Sequence, residues 1–192
     1  MGREFELKYE ASPEKLALLQ GRFPDLSPIT METTYYDTPG GEMGRLYWTF
    51  RRRLENGRPV ITLKTPAEGY GRNEWEVRCD DLMAAVDELV AGGAPARLLA
   101  FALREGFVPV CGARFTRLAG TLETPGATVE LALDQGVLLG GGKELPFWEM
   151  EVELKEGAEE AAVRFAESLA GEVGLTPQPL SKIARARRLA GM

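Results

Sequence analysis

The sequence predicts an α+β domain built on an antiparallel sheet, and three observations carry that prediction. Apolar and polar side chains alternate in roughly eight short runs, the period of half-buried strands. Asn56-Gly57, lying between two of those runs, is a residue pair that two-residue hairpin turns favour. Helical segments interrupt the runs irregularly, unlike the strict strand-helix repeat of a parallel sheet.

The first run, "EFELKYE" over residues 4–10, sets Glu4, Glu6 and Lys8 on one side and Phe5, Leu7 and Tyr9 on the other. Ser12 then offers an N-cap, Pro13 suits a first turn, and a helix continues through Gln20 until Gly21 closes it. Residues 33–36 read as extended and "DTPGGEMG" as turn chemistry. Residues 46–53 and 59–64 flank Asn56-Gly57 as a hairpin, and residues 74–78 form another short alternating run. Apolar spacing predicts helices over residues 81–90 and 95–104. Strands follow at 114–122, 128–133 and 147–154, then a helix over 158–173. Pro177 and Pro179 break the chain before a basic helix over residues 181–189.

At 192 residues the chain suits one sizeable domain with a real core. It contains no histidine, which excludes imidazole general bases, His-containing triads and the usual zinc sets. Acid–base or metal chemistry must therefore run on carboxylates, lysines and arginines. A net charge of −6 argues against general nucleic-acid affinity. Cys79 and Cys111 lack metal-site or redox spacing and read as reduced thiols in or near the core. No stretch approaches the roughly 18 apolar residues of a membrane span. The N-terminus reaches Arg3 and Glu4 without an apolar leader, so the expected compartment is the cytoplasm.

Strand alternation groups the charges, because residues two apart lie about 6.6 Å from one another on the same side. Glu149, Glu151 and Glu153 form an unbroken carboxylate row; Glu130 shares a side with Asp134, and Arg72 with Glu74 and Glu76. A solvated sheet face gives the same alternation, yet like charges so placed want a cation. Oxygen-only donors suit Mg²⁺ or Mn²⁺. On the hairpin, Arg51 and Arg53 share one side, Trp48, Phe50 and Arg52 the other, and Lys64 ends the partner strand. Guanidinium forks match phosphate oxygens in pairs. Arg114, Arg117, Lys182, Arg185, Arg187 and Arg188 extend the basic inventory, and the terminal cluster equally suits a helix C-terminus. A polyphosphate with its divalent metal needs both an acid row and a basic row.

These residues resemble a known family. "EFELKYE" is similar to the ExExK signature of the CYTH superfamily, the triphosphate tunnel metalloenzymes. "TTYYDTP", "FRRRLENGRPVITLK", "RNEWEV", "VELALDQG", "WEMEVELKEG" and "LSKIARARRLA" follow in the order of its bacterial inorganic triphosphatase branch. The resemblance implies a single CYTH domain over residues 1–192, folded as a closed eight-stranded antiparallel β-barrel with polar side chains inward and helices outside. Alternation by itself does not choose polar-in over polar-out.

Carried over by position, the resemblance implies Glu4, Glu6, Glu149, Glu151 and Glu153 as ligands of Mg²⁺ or Mn²⁺, with Glu4, Glu6 and Lys8 catalytic. Lys8, Arg51, Arg53, Lys64, Arg72, Arg114, Arg117 and Lys182 would bind substrate, and Glu74, Glu76, Glu130 and Asp134 would line the tunnel. Arg117 fits its block best; Arg114, an odd number of residues away, faces the other side unless the strand bulges. Arg52 occupies a place usually apolar in the family, which points to an outer contact or a shifted face.

The implied activity is hydrolysis of inorganic triphosphate to diphosphate and phosphate. Thiamine triphosphatase, nucleoside or RNA 5′-triphosphatase, adenylate cyclase and a non-catalytic polyphosphate-binding module stay open as alternatives, with inorganic or organic triphosphate as the partner. Tyr36, Tyr47, Trp48, Tyr70 and Trp75 could stack on an organic group or belong to core and rim. The sequence ends at Met192 without the helical phosphate-binding domain that often follows this module, so functions supplied by that domain are not expected. Nothing in the sequence indicates an oligomeric state.

Overall fold

A computed structural model describes residues 2–68 and 71–192, with side chains from Glu4 onward. The chain runs β1 (Gly2–Glu4), β2 (Glu6–Glu10), α1 (Pro13–Arg22), β3 (Ser27–Asp37), α2 (Glu42–Arg45), β4 (Thr49–Glu55), β5 (Arg58–Pro66) and β6 (Arg72–Val77). It continues through α3 (Leu82–Ala91), α4 (Arg97–Arg104), β7 (Val108–Thr124), β8 (Ala127–Gly140), β9 (Lys143–Gly157), α5 (Glu159–Val173), β10 (Thr176–Pro177) and α6 (Lys182–Leu189).

All ten strands join one antiparallel sheet in the order β1-β6-β5-β4-β3-β7-β8-β9-β2-β10. The expected eight strands become ten because the first divides at Phe5 and Thr176–Pro177 adds a short pairing beside β2. β1 pairs with β6, whereas β2 pairs with β9, and Phe5 alone joins them. The antiparallel α+β class is as expected; the strand order runs from β1 to β10 as in an open sheet, so the pairing does not establish the closed barrel of eight.

Turn chemistry sets the register. Asn56 and Gly57 hold φ values of 48° and 78°, the left-handed pair of a tight hairpin, and the Asn56 Oδ1 accepts a bond from the Thr30 amide at 2.9 Å. The predicted cap at Ser12 also holds, accepting from the Lys15 amide at 3.4 Å, and Asp81 caps the next long helix by accepting from the Ala84 amide at 2.8 Å. "DTPGGEMG" contains the one-turn helix α2, because the buried Asp37 carboxylate accepts from the Met43 and Gly44 amides.

One sheet face is greasy. Tyr9, Leu131, Leu133, Met150 and Val152 meet Leu16 and Leu19 of α1 and Ala162, Ala166 and Leu169 of α5. Phe50, Ile61, Leu63 and Trp75 meet Val86 and Leu89 of α3 and Leu98 and Phe101 of α4. Full burial of each such side chain stabilises the fold by about 1.5–3 kcal/mol. Cys79 is a free, partly buried thiol at the edge of the second of these clusters; Cys111 is another, beside Met31 and Ala113 on the opposite sheet face, and burial pushes it up to about 11. Among the described residues, no helix is long and apolar enough to cross a membrane.

The last helix behaves differently. α6 packs on the opposite face of β7, β8 and β9, against Met31, Phe115, Leu138 and Phe147. Beneath this seat Gly136 allows β7 and β8 to approach closely: an added Cβ would lie 2.5 Å from the Phe115 Cα and closer still to the Arg114 carbonyl. Gly136→Ala is expected to cost about 2–3 kcal/mol through this overpacking, read as a lower unfolding midpoint in denaturant.

Candidate active site

The register places the charged side chains on one continuous face. On β2 and β9, Glu6 lies opposite Glu153 and Lys8 opposite Glu151. Glu130 of β8 pairs with Glu153, and Arg117 of β7 with Asp134. Across the sheet, Thr33 and Tyr35 of β3 pair with Arg53 and Arg51 of β4. Thr62 and Lys64 of β5 then pair with Glu76 and Glu74 of β6. This face lines a cavity of about 380 Å³.

The basic wall is built from neighbouring strands. Arg51 and Arg53 are largely buried in it, with the Arg51 guanidinium 4.0 Å from Glu74 and Arg53 paired to Glu55. Their Nε atoms are buried and have no hydrogen-bond partner among the described residues. Arg185 and Arg187 also carry a buried, unpaired Nε, so this feature is not confined to the cavity; it costs about 1–3 kcal/mol each. Arg72 donates to the carbonyl oxygens of Tyr47 at 2.5 Å and Lys64 at 3.4 Å, which fixes it at the rim.

On the acidic side, each carboxylate has a lysine. Lys64 Nζ lies 2.6 Å from both oxygens of Glu4, and Lys8 Nζ 2.6 Å from Glu6. Lys155 Nζ lies 2.8 Å from Glu153 and 3.6 Å from Glu130. Burial pushes the Glu153 carboxyl up, Lys155 opposes it, and the charges of Glu4 and Glu130 add to the rise. Glu6 directly opposite Glu153 is a like-charge pair that a cation would relieve. Glu4, Glu6, Glu130 and Glu153 offer oxygen-only donors, the kind that hard divalent cations take, but among the described residues it is Asp134, Glu149 and Glu151 that bring ligand oxygens within 4.8 Å of one another.

A second acidic cluster lies under α6. Oxygens of Asp134, Glu149 and Glu151 fall within 4.8 Å of one another. Its cation is supplied by the chain: Lys182 Nζ lies 2.8 Å from Asp134 and from Glu151 and also bonds Glu149. Arg117 bonds Asp134 and Glu151, and Arg185 bonds Glu149. Burial alone would lower the Lys182 ammonium, but Asp134, Glu151 and Glu149 outweigh it and hold it well above the ordinary lysine value. Glu149 and Glu151 titrate as a pair: burial pushes Glu149 up to about 7, while burial at Glu151 is outweighed by Lys182 and Arg117, which hold it low. Further along α6, Arg187 bonds the buried Asp37 at 2.6 Å.

Comparison with known proteins now bears on this face. The CYTH domain matches residues 2–186. The chain belongs to the CYTH family. An inorganic triphosphatase of Haemophilus influenzae is 27% identical over 194 residues, covering 96% of this chain and 54% of that protein. The CYTH chain therefore spans about half the length of that relative. Among solved structures, HpAC1 from Hippeastrum, described as revealing a dominant triphosphatase activity, superposes with a TM-score of 0.68 at 20% identity, covering 97% of this chain and 96% of the other. PH1819 from Pyrococcus horikoshii superposes with a TM-score of 0.63 at 21% identity, covering 97% and 99% of the two chains. These likenesses show the fold.

Against the CYTH-derived expectations, the structure brings Glu4, Glu6, Lys8, Arg51, Arg53, Lys64, Arg72, Glu74, Glu76, Arg117, Glu130, Glu151, Glu153 and Lys182 to the cavity. Arg114 does not join them: β7 runs without a bulge there, and its side chain is 56% exposed and pairs with Glu144 at 2.5 Å. Glu149 and Asp134 are fully buried behind the lining and engaged by α6 and Arg117, so Glu149 is not placed with Glu4 and Glu6 as a metal ligand. Lys182 reaches the cavity, but its three N–H donors already have Asp134, Glu149 and Glu151 as acceptors. Arg52 makes the outer contact, its Nε 2.6 Å from Asp80. Tyr36, Trp48 and Trp75 pack into the outer apolar cluster, Tyr47 is 79% exposed, and Tyr70 lies outside the described residues.

Lys155 and Glu55 line the cavity and were missed from the sequence. The signal for Lys155 was present: it continues the alternation of Glu149, Glu151 and Glu153 by one step.

Proposed function

We propose that this CYTH chain catalyses metal-dependent hydrolysis of inorganic triphosphate to diphosphate and phosphate. The observation that carries the reading is one cavity that gathers Arg51, Arg53, Lys8 and Lys64 against the Glu4, Glu6 and Glu153 carboxylates. A polyanion satisfies the first set only when a cation offsets the second. The reading also takes β1 and β2 as one strand whose two halves, on β6 and β9, close the sheet into a tunnel around the substrate.

In this mechanism Glu4, Glu6 and Glu153, with Glu130 beside them, hold Mg²⁺ or Mn²⁺. When bound, the metal supplies Lewis-acid stabilisation of phosphoryl oxygens. Arg51 and Arg53 bind the remaining oxygens in forked pairs and, with Lys8 and Lys64, stabilise the negative charge that gathers on the leaving diphosphate. A carboxylate of the row orients water for in-line attack on the terminal phosphorus and takes its proton as the bond to diphosphate breaks.

One observation favours a second reading. A further cavity of about 380 Å³, lined by Tyr47, Trp48, Pro66 and Ile183, shares Thr49, Arg72, Ser181 and Ile183 with the first. It could take the organic part of an organic triphosphate. Phosphate release from tripolyphosphate, ATP and thiamine triphosphate, each with Mg²⁺, Mn²⁺ or EDTA, separates the readings. The first expects tripolyphosphate to be turned over best and EDTA to stop it. Turnover of an organic triphosphate without metal-dependent turnover of tripolyphosphate rejects it, and cyclic AMP from ATP would assign a cyclase. A cytoplasmic location belongs to the same proposal.

A further inference from the structure

The lysines of the acidic wall differ in how firmly they are held. Lys8 and Lys64 are enclosed by the cavity, with side chains 16% and 12% exposed, and both face the space assigned to phosphate. Lys155 is 38% exposed and lies near the end of β9, at the irregularity in its pairing with β8, with Glu153 and Glu130 as its acidic partners. Its ammonium therefore occupies the position between two carboxylates that a divalent cation would need, and it can swing into water at little cost in desolvation.

We infer that Lys155 is a resident counter-ion of the Glu130–Glu153 pair, a positioning residue that competes with the divalent metal and sets its affinity. This rests on the metal-binding part of the function proposed above. In the metal-free protein the ammonium offsets part of the negative charge of Glu130 and Glu153. On metal binding, Lys155 gives up its carboxylates and turns to solvent, so part of the metal's binding free energy is consumed in displacing it. Lys8 and Lys64 would stay within reach of phosphate. The chain thus carries lysines of two kinds on one wall, and only Lys155 opposes the metal without a substrate to receive it.

The test is calorimetric titration of Mn²⁺ into the whole chain at pH 8, without phosphate, for wild type, Lys155→Met, Lys155→Gln and Lys155→Arg. Removing one adjacent positive charge is expected to tighten Mn²⁺ binding about tenfold in the Met and Gln variants, or about 1.4 kcal/mol. Lys155→Arg is expected to stay within twofold of wild type. Raising the salt concentration should shrink the difference, since the pair is partly exposed. Unchanged or weaker Mn²⁺ binding in both neutral variants overturns the inference while leaving the metal site in place. Absence of Mn²⁺ binding in wild type overturns both this inference and metal dependence. Tighter binding in the neutral variants, with no phosphate release from any triphosphate, supports Lys155's role and rejects the hydrolase.

Discussion

Replacing Lys182 with methionine is expected to lower the thermal unfolding midpoint by about 6–20 °C. The side chain is 9% exposed, and its ammonium touches three carboxylates, two of which, Asp134 and Glu149, are wholly buried. Methionine fills much of the same volume but leaves those charges with only Arg117 and Arg185. Breaking a buried ion cluster from one side costs about 3–5 kcal/mol, and each kcal/mol is worth about 2–4 °C in a chain of this size. Loss of the cation contact with the Phe115 and Phe147 rings, at 5.3 and 5.4 Å, adds to it.

The pH dependence has a definite sign. Glu149 is pushed up to about 7 even with Lys182 present, burial being the largest cause. A carboxyl raised in the folded state costs stability as pH climbs from its ordinary 4.5, because the unfolded chain ionises first. Without Lys182 the cluster rises further, so the variant should lose stability more steeply than wild type between about pH 5 and pH 8. Lys182 itself stabilises fully below its ordinary 10.5, and that contribution fades only as pH rises through its higher folded value. Adding Glu149→Gln should restore part of the lost midpoint and flatten the slope. A Lys182→Met protein within 2 °C of wild type at pH 7 would refute the anchoring role.

Glu6→Gln is expected to lower kcat/KM for tripolyphosphate with Mg²⁺ by about 10²–10³-fold, the range seen when a group stabilising transition-state charge is removed. Gln keeps the shape and can still accept a bond from Lys8, now 2.6 Å from Glu6. It removes the charge facing Glu153 and weakens one of the proposed metal ligands. The variant should fold with a midpoint near that of wild type, since one like-charge opposition disappears. Saturating Mn²⁺ should recover part of the rate if metal affinity is what was lost. A change below threefold, with Mn²⁺ affinity unaltered, would remove Glu6 from the site.

Much of the fold was legible where the chain carries its own local bonds. Ser12, Asp81 and Ser181 mark helix starts within a residue because each side chain satisfies an amide of the first turn. Gly174, at φ 69°, closes α5 for the converse reason. Strand lengths were not legible: β7, β8 and β9 run for 17, 14 and 15 residues through Pro109, Gly112, Gly120 and Gly136. Those residues weaken a strand locally, and pairing on both sides overrides them. The two-residue β10 hid behind Pro177 because β2, not local propensity, holds it.

The site divides in the same way. Alternation placed Glu149, Glu151 and Glu153 on one face but could not distinguish them, since parity says nothing of depth. α6 separates them, with Glu149 sealed beneath Lys182 and Arg185, Glu151 between Lys182 and Arg117, and Glu153 left to Lys155.

By itself, then, the amino-acid order determined which residues share a side, where helices begin, and that carboxylates and guanidinium groups alternate with an apolar stripe, because backbone geometry imposes these over a few residues. Whether the charged side turns inward, which acid meets which base and where each lies along the cavity were decided only by the tertiary structure. Those outcomes depend on strands distant in sequence, and on where helices α1, α3, α4 and α5 find apolar surface to cover while α6 settles on the other face.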